Sequence, residues 1–557
     1  MAPKSLAIEL YANADELVDH HFINQMREQD ASPVPTDPSK PRFTLVVGPS
    51  PFTMPRGWEF FLTSPYEGAS YISTVLHNAG YPVKIIDVRY DLDPLRTAYD
   101  QIIGDTDVLG VCTFEDNFPF CRELMAKVRE SAPDMPIIVG GSLATSVPHI
   151  FMQKTAADIA VISEGELTIL ELMESYTAGK WSRDLPNIRG ICYRAEGGPK
   201  RTRPRGQMMD LDALPRPRLD LWPQYHSPMG MQPQIISSYS RGCKMDCSFC
   251  YRTTPQVRAK SQEKMDKDMD WLKSQYGIDF CFFVDLTFSS HRKQTIEMCD
   301  VIKDYDIGWT CLTRCADMDV PRINAMRDSG CDIILYGVES LGSDVLREAR
   351  KGSSENLTVR AMRTTFDAGV RFGSLLIVGL PNESEESLNH MVEFAETYNH
   401  VTRVKYLSAM PGTTVYKQAI GSGLIRSEID HLNWLSVEQA LHEDEFLNVS
   451  GLPEAVCRDA YKRIYDSYQP GPVMEFRHYP ENFQYFHPQP DDGQERSTSY
   501  AGTKWRAEFS SAAGPLAPGS DRFTLDACAS PEVAAAGSSL MECGAKKMGS
   551  LTTTTQA

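Results

Sequence analysis

Short apolar runs alternate with amphipathic segments twice along this chain, and that alternation restricts its fold more than any other feature. In the first set, residues 44–48 (Thr-Leu-Val-Val-Gly), 83–88, 107–112, 136–140 and 159–162 read as buried strands. Helical patterns over 68–78, 94–103, 119–129 and 166–176 lie between or after them. Strands that are apolar on both faces and separated by helices predict a parallel, doubly wound sheet. Such sheets bind ligands beyond the carboxyl ends of their strands. Here those ends carry Gly48-Pro49-Ser50, Thr113-Phe114, Gly140-Gly141-Ser142 and Ser163-Glu164-Gly165-Glu166.

The second set begins at residues 234–239 and continues with strands over 279–284, 308–313, 331–336, 371–378 and 404–407. Helices are expected over 262–275, 293–303, 320–327, 357–368 and 385–398. Six strand–helix units fall short of the eight that close a barrel, which predicts a partial, open one. The layout expected is an extension over 1–40, a first domain over 41–180, a linker over 181–230, a partial barrel over 231–430, a helical region over 431–470 and a mostly disordered tail over 471–557. The linker assignment rests on its prolines and weak periodicity, and its basic run at 200–205 reads as a solvated face. The tail assignment rests on Ala, Gly, Ser and Thr enrichment from residue 493 onward.

Charge narrows the class of partner. With 56 Lys+Arg against 74 Asp+Glu, a net charge of −18 argues against a general nucleic-acid binder. Glu9, Asp15, Glu16 and Asp19 interrupt the N-terminal stretch, so it does not read as a secretory signal. No apolar run approaches the roughly 18 residues that a membrane span needs. The expectation is a cytoplasmic enzyme acting on a small molecule, in a compartment where thiols stay reduced.

Of the 14 cysteines, three stand together just after the first strand of the second set, in Ser240-Arg241-Gly242-Cys243-Lys244-Met245-Asp246-Cys247-Ser248-Phe249-Cys250. Three thiolates on one loop suit an iron–sulfur cluster or zinc. A structural zinc site wants four ligands, and the next candidates, Cys281 and His291, lie 31 and 41 residues beyond Cys250. Three ligands on a four-iron cluster leave one iron open to a substrate or cofactor. Cys281, Cys299, Cys311, Cys315 and Cys331 read mainly as core residues.

The Cys243-x3-Cys247-x2-Cys250 loop, with aromatic Phe249 before its last cysteine, resembles the signature of radical S-adenosylmethionine (SAM) enzymes. Gly337-Val338-Glu339-Ser340 is similar to that family's Gly-x-Glu-Ser element. Leu375-Leu376-Ile377-Val378-Gly379-Leu380-Pro381 resembles its Gly-x-Ile-x-Gly-x-x-Pro region, although the first glycine stands earlier, as Gly373. A doubly wound domain ahead of such a barrel, with Gly140-Gly141-Ser142 and Ser163-Glu164-Gly165-Glu166 turns, is similar to the cobalamin-dependent members, methyltransferases among them. Many cobalamin proteins supply a cobalt-binding histidine from Asp-x-His-x-x-Gly. No such motif occurs between residues 41 and 180, and His77 and His149 read as structural.

The resemblance implies that Cys243, Cys247 and Cys250 hold a [4Fe–4S] cluster whose open iron takes SAM, reduced by flavodoxin or ferredoxin. Reductive cleavage of SAM would give a 5′-deoxyadenosyl radical that abstracts hydrogen from an unactivated position. Methylcobalamin on the first domain would then deliver a methyl group to carbon or to a phosphinate phosphorus, as in natural-product and antibiotic biosynthesis. A non-methylating oxidative cyclase or ring-contracting enzyme is the alternative. Phe249, Asp285, Arg314, Glu339, Val378 and Gly379 are the candidate residues around SAM. For Asp285 and Arg314 a plain strand-end role is equally open. Thr113, Gly141, Ser142, Glu164 and Gly165 are the candidates around cobalamin.

Overall fold

The computed structural model describes residues 19–49, 64–89, 91, 93–226, 234–251, 253–398, 401–438, 446–467, 473–475 and 484–486. Its first helix, α1 (His20–Ala31), buries Ile23 and Met26 against the domain that follows. That domain runs β1 (Phe43–Val47), α2 (Glu67–Asn78), β2 (Val83–Asp87), α3 (Pro94–Ile102), β3 (Val108–Cys112), α4 (Phe118–Ser131) and β4 (Ile137–Gly140). It continues through α5 (Ser142–Ser146), α6 (Pro148–Lys154), β5 (Ile159–Val161) and α7 (Glu166–Thr177). Strands β1 to β5 pair in parallel in the order β2-β1-β3-β4-β5, as the apolar runs predict. All five residues of β1 are buried, because helices cover both faces of the sheet.

Residues 181–230 are more than a connector. Strands β6 (Ile191–Ala195) and β7 (Gly198–Arg201) extend the sheet antiparallel beyond β5, giving seven strands. β7 reads Gly-Pro-Lys-Arg and is largely exposed, so it lacks the apolar alternation that marks a buried strand. Nor is the basic run wholly a solvated face: Arg205 is buried and ion-paired with Asp19 and Glu171. Trp222 is fully buried among the first domain's side chains, and its indole N–H donates to Ser70 Oγ at 3.0 Å.

The second sheet is built from β8 (Gln234–Ser237), β11 (Phe280–Phe283), β12 (Gly308–Thr313), β13 (Cys331–Glu339), β14 (Arg371–Val378) and β15 (Val401–Tyr406). All six are parallel and lie in chain order, an open half-barrel. Two-residue strands β9 (Ser240–Arg241) and β10 (Arg258–Ala259) pair at the mouth of the cysteine loop. Helices Gln262–Tyr276, Arg292–Lys303, Val320–Asp328, Glu355–Asp367 and Glu385–Tyr398 fall where the periodicity predicts them. After the barrel, helix Glu428–Glu438 returns to the first domain, where Leu432 and Leu435 join its core and Ser436 Oγ donates to the Glu115 carbonyl at 3.1 Å. Ser50 and, apart from residues 473–475 and 484–486, the tail expected from 471 lie outside the described residues.

If 181–230 is integral to the first domain, Trp222→Ala leaves a large cavity. The full chain should lose ~3–5 kcal/mol, read as a lower melting midpoint by scanning calorimetry. A tryptophan on a free connector would change stability by only about 0.5 kcal/mol.

Candidate active site

Side chains and backbone of the barrel fix the start of the cysteine loop. Asp285, just beyond β11, reaches back to where the loop begins. It accepts from the Ser240 amide at 2.6 Å and the Tyr239 amide at 3.4 Å, and also from the Ser240 hydroxyl. Burial, reinforced by the nearby Glu67 charge, pushes its carboxyl up to about 7 despite the hydrogen bonds from Ser240. Gly242 then turns the chain at φ +92°, and a Cβ there would sit 1.9 Å from the Gln256 carbonyl oxygen. Only glycine fits.

Past that turn stand the three cysteines, none of them in a disulfide. The Met245 amide points at Cys243 Sγ, 3.5 Å away, and Cys247 Sγ lies 3.8 Å from the Arg350 carbonyl oxygen. Burial, then the neighbouring Cys247 and Cys243, push the Cys250 thiol up to about 12, and burial likewise raises Cys247. Such thiols ionise only beside strong positive charge, which bound metal supplies. Among the described residues no three Cys, His, Asp or Glu side chains are gathered tightly enough for a single ion. Three soft thiolate donors on one loop are the donor set of an iron–sulfur cluster. The aromatic Phe249 between them packs against the buried cluster that includes Ile377, Leu380 and Leu407.

Cationic groups face the loop from the barrel. Arg314, beyond β12, is buried and gives its Nη2 to the carbonyls of Lys351 and Gly352 at 2.6 and 2.9 Å. Its Nη1 bonds Asp317 at 3.1 Å, while its Nε has no acceptor among the described residues. Glu339, at the end of β13, is held in the left-handed region at φ +67° where the pairing register with β14 slips. Strain of this kind in a non-glycine residue clusters at functional sites. The Lys351 ammonium donates to Glu339 Oε1 at 2.8 Å. Burial alone would lower the Lys351 pKa, but Glu339 and Cys247 lift it above its ordinary value. Lys351 was not singled out from the sequence: it lies 12 residues past Glu339, with no motif or period connecting them.

Val378 is fully buried in the barrel core, and its carbonyl accepts from the Leu407 amide at 2.9 Å. The Gly379 amide donates to Glu383 Oε2 at 2.6 Å. Burial pushes that carboxyl up to about 8, although the Gly379 and Leu380 amides oppose the rise.

On the other side of the junction a cavity of about 430 Å³ opens over the carboxyl ends of the first sheet. It runs down the strands to Phe43, Leu45 and Gly110, and up to Gly242 and Leu286 of the barrel. A largely apolar cleft of this size with a few convergent polar groups suits a bound cofactor or small molecule. Gly141, Glu164 and Gly165 line it. The side chains of Thr113 and Ser142 lie behind it instead. Thr113 Oγ1 donates to the Gly140 carbonyl at 2.9 Å, and Ser142 Oγ donates to Glu115 at 3.3 Å. Gly141 needs its φ of +109°, since a Cβ would meet the Thr113 carbonyl oxygen at 2.5 Å. No histidine is among the described residues that line the cavity. His149 instead faces Glu428 at 3.4 Å.

Glu164 faces the domain junction, where it accepts two hydrogen bonds from Arg258 at 2.9 Å each, one from Arg241 at 3.3 Å and one from the Met208 amide at 3.0 Å. Burial opposes its ionisation, yet the two arginines hold it below the usual carboxylate range.

Comparison with known proteins agrees with both halves of the site. The Radical SAM superfamily matches residues 237–395, and the B12 binding domain matches residues 63–173. An uncharacterized methyltransferase of Pyrococcus horikoshii is 27% identical over 381 residues, 67% of this chain and 81% of that protein. Anaerobic magnesium-protoporphyrin IX monomethyl ester cyclase of Rubrivivax gelatinosus is 26% identical over 347 residues, 60% of this chain and 62% of that protein. Among solved structures, the radical S-adenosylmethionine methyltransferase TsrM from Kitasatospora setae superposes with a TM-score of 0.55 at 17% identity, over 69% of this chain and 77% of that one. The chain thus joins a B12 binding domain to a radical SAM domain. Its cofactors are accordingly a [4Fe–4S] cluster, SAM and cobalamin. No helix among the described residues is long and apolar enough to cross a membrane.

A pH test isolates Glu383. With its pKa raised to about 8 from 4.5, the folded chain keeps a proton that the unfolded chain releases. Stability is therefore lost as pH rises between those values. Glu383→Gln should flatten that part of the melting-midpoint profile; an unchanged slope would show that the carboxyl is already ionised.

Proposed function

We propose that this chain transfers a methyl group from methylcobalamin to an unactivated carbon, or to a phosphinate phosphorus, of a small molecule. A reduced flavodoxin or ferredoxin is the proposed electron donor. One observation carries this reading: Gly242, the residue before Cys243, lines the same cavity as Gly141, Glu164 and Gly165. The cysteine loop and the turns of the B12-binding domain thus border one space. When bound there, the cluster and SAM supply a hydrogen-abstracting radical, and cobalamin supplies the methyl group.

The chain's own residues then bind, orient and exclude water. Cys243, Cys247 and Cys250 are the proposed cluster ligands. The unpaired Nε of Arg314 and the Lys351 ammonium form a buried cationic wall suited to the carboxylate of SAM, and Glu339 is the acceptor suited to its donor groups. Asp285 is engaged with Ser240 and Tyr239, so its role in this reading is to hold the loop. The backbone at Val378 and Gly379 is the proposed border of the adenosine. Support for phosphorus as acceptor comes from cytidylyl-2-hydroxyethylphosphonate methyltransferase of Streptomyces wedmorensis, 23% identical over 451 residues, 69% of this chain and 82% of that protein. The Rubrivivax cyclase favours a second reading, oxidative cyclisation without methyl transfer.

Anaerobic reconstitution with iron, sulfide and cobalamin, followed by SAM and a reductant, separates the two. S-adenosylhomocysteine together with 5′-deoxyadenosine is expected; 5′-deoxyadenosine alone would favour the cyclase. Cys247→Ala should lose bound iron while retaining cobalamin, and a reconstituted native chain that binds no iron would overturn the assignment.

A further inference from the structure

The segment from Arg241 to Tyr251, which contains all three cluster cysteines, is fastened to the B12-binding domain at both ends. At the upstream end, Arg241 gives Nη2 to Glu166 at 2.6 Å and Nη1 to Glu164 at 3.3 Å. Its guanidinium also lies over the Tyr71 ring of α2, 5.4 Å from the centroid. At the downstream end, the Tyr251 hydroxyl donates to the Ser142 carbonyl at 2.6 Å and lies 2.6 Å from Ser146 Oγ. Glu164 lies on the turn after β5 and Glu166 begins α7, while Ser142 begins the helix after β4. These are the adjacent turns whose Gly141, Glu164 and Gly165 line the cavity.

We propose that Arg241 and Tyr251 are positioning residues that couple cobalamin occupancy to the cluster loop, so that filling one site tightens the other. This rests on the reading of the cavity as the cobalamin site. The physical reason is geometric. Each fastening joins a residue one or two positions outside the Cys243–Cys250 span to a turn that borders the cavity. Ordering either partner therefore removes freedom from the other. Both fastenings are part-buried, where hydrogen bonds and ion pairs are stronger than on an open surface. Coupling of this sort is reciprocal in binding free energy and amounts to roughly 5- to 150-fold in affinity. Its use is to keep radical formation tied to a loaded methyl donor.

The test compares the cobalamin Kd of the full chain with and without its reconstituted cluster, by anaerobic absorbance titration with hydroxocobalamin. Native protein should bind at least about 5-fold more tightly when cluster-loaded. Tyr251→Phe and Ser146→Ala each remove one oxygen and keep every charge. Both should retain iron and cobalamin while the ratio falls toward one, and Arg241→Lys should keep more of the ratio than Arg241→Gln. A native ratio of one, or an undiminished ratio in Tyr251→Phe and Ser146→Ala, overturns the proposal. Failure of the native chain to bind cobalamin at all would instead overturn the site assignment on which it rests.

Discussion

The buried Glu164 carboxylate, gripped by Arg241 and Arg258, is the interaction on which the two halves of this molecule depend. Burying three charged groups is costly unless each is paired and hydrogen-bonded, and removing one partner strands the others. That penalty makes the junction specific. Glu164 lies on the turn after β5, and both arginines lie on the small β9–β10 ribbon at the mouth of the cluster loop. The ion group therefore aligns the carboxyl end of the first sheet with the start of the barrel.

From that alignment the shared cavity follows. A closed eight-stranded barrel fills its interior with side chains. Six strands leave an open edge, and here Gly242 and Leu286 of the barrel meet Gly141 and Gly165 of the first domain across one cavity. The helix after the barrel completes the clasp by packing Leu432 and Leu435 into the first domain. Within the barrel, the left-handed Glu339 and its Lys351 partner turn the end of β13 toward the cysteines.

Much of this was legible in the sequence, and the exceptions share a cause. Strands buried on both faces announce themselves as apolar runs, so β1 to β5 and the six barrel strands were readable to within about three residues at each end. β7 was not, because an exposed edge strand of Gly, Pro, Lys and Arg carries no such pattern. The cysteine spacing was legible because its ligands are neighbours in the chain. Thr113 and Ser142 stand at the strand ends where ligands bind, yet their side chains serve the turns themselves, and strand position alone does not reveal side-chain direction. Lys351, Arg241 and Tyr251 carried no local signal, since each acquires its importance from a partner distant in sequence.

The sequence by itself determined two parallel sheets, the open barrel, the three-thiol loop and the glycines at its turns. These are local consequences of apolar periodicity and backbone sterics. Only the tertiary structure decided which charges meet at the domain junction, which strand-end residues face the cavity and that both sites open on one space. Those outcomes depend on buried groups finding partners across long stretches of chain, and such pairing leaves no period in the sequence.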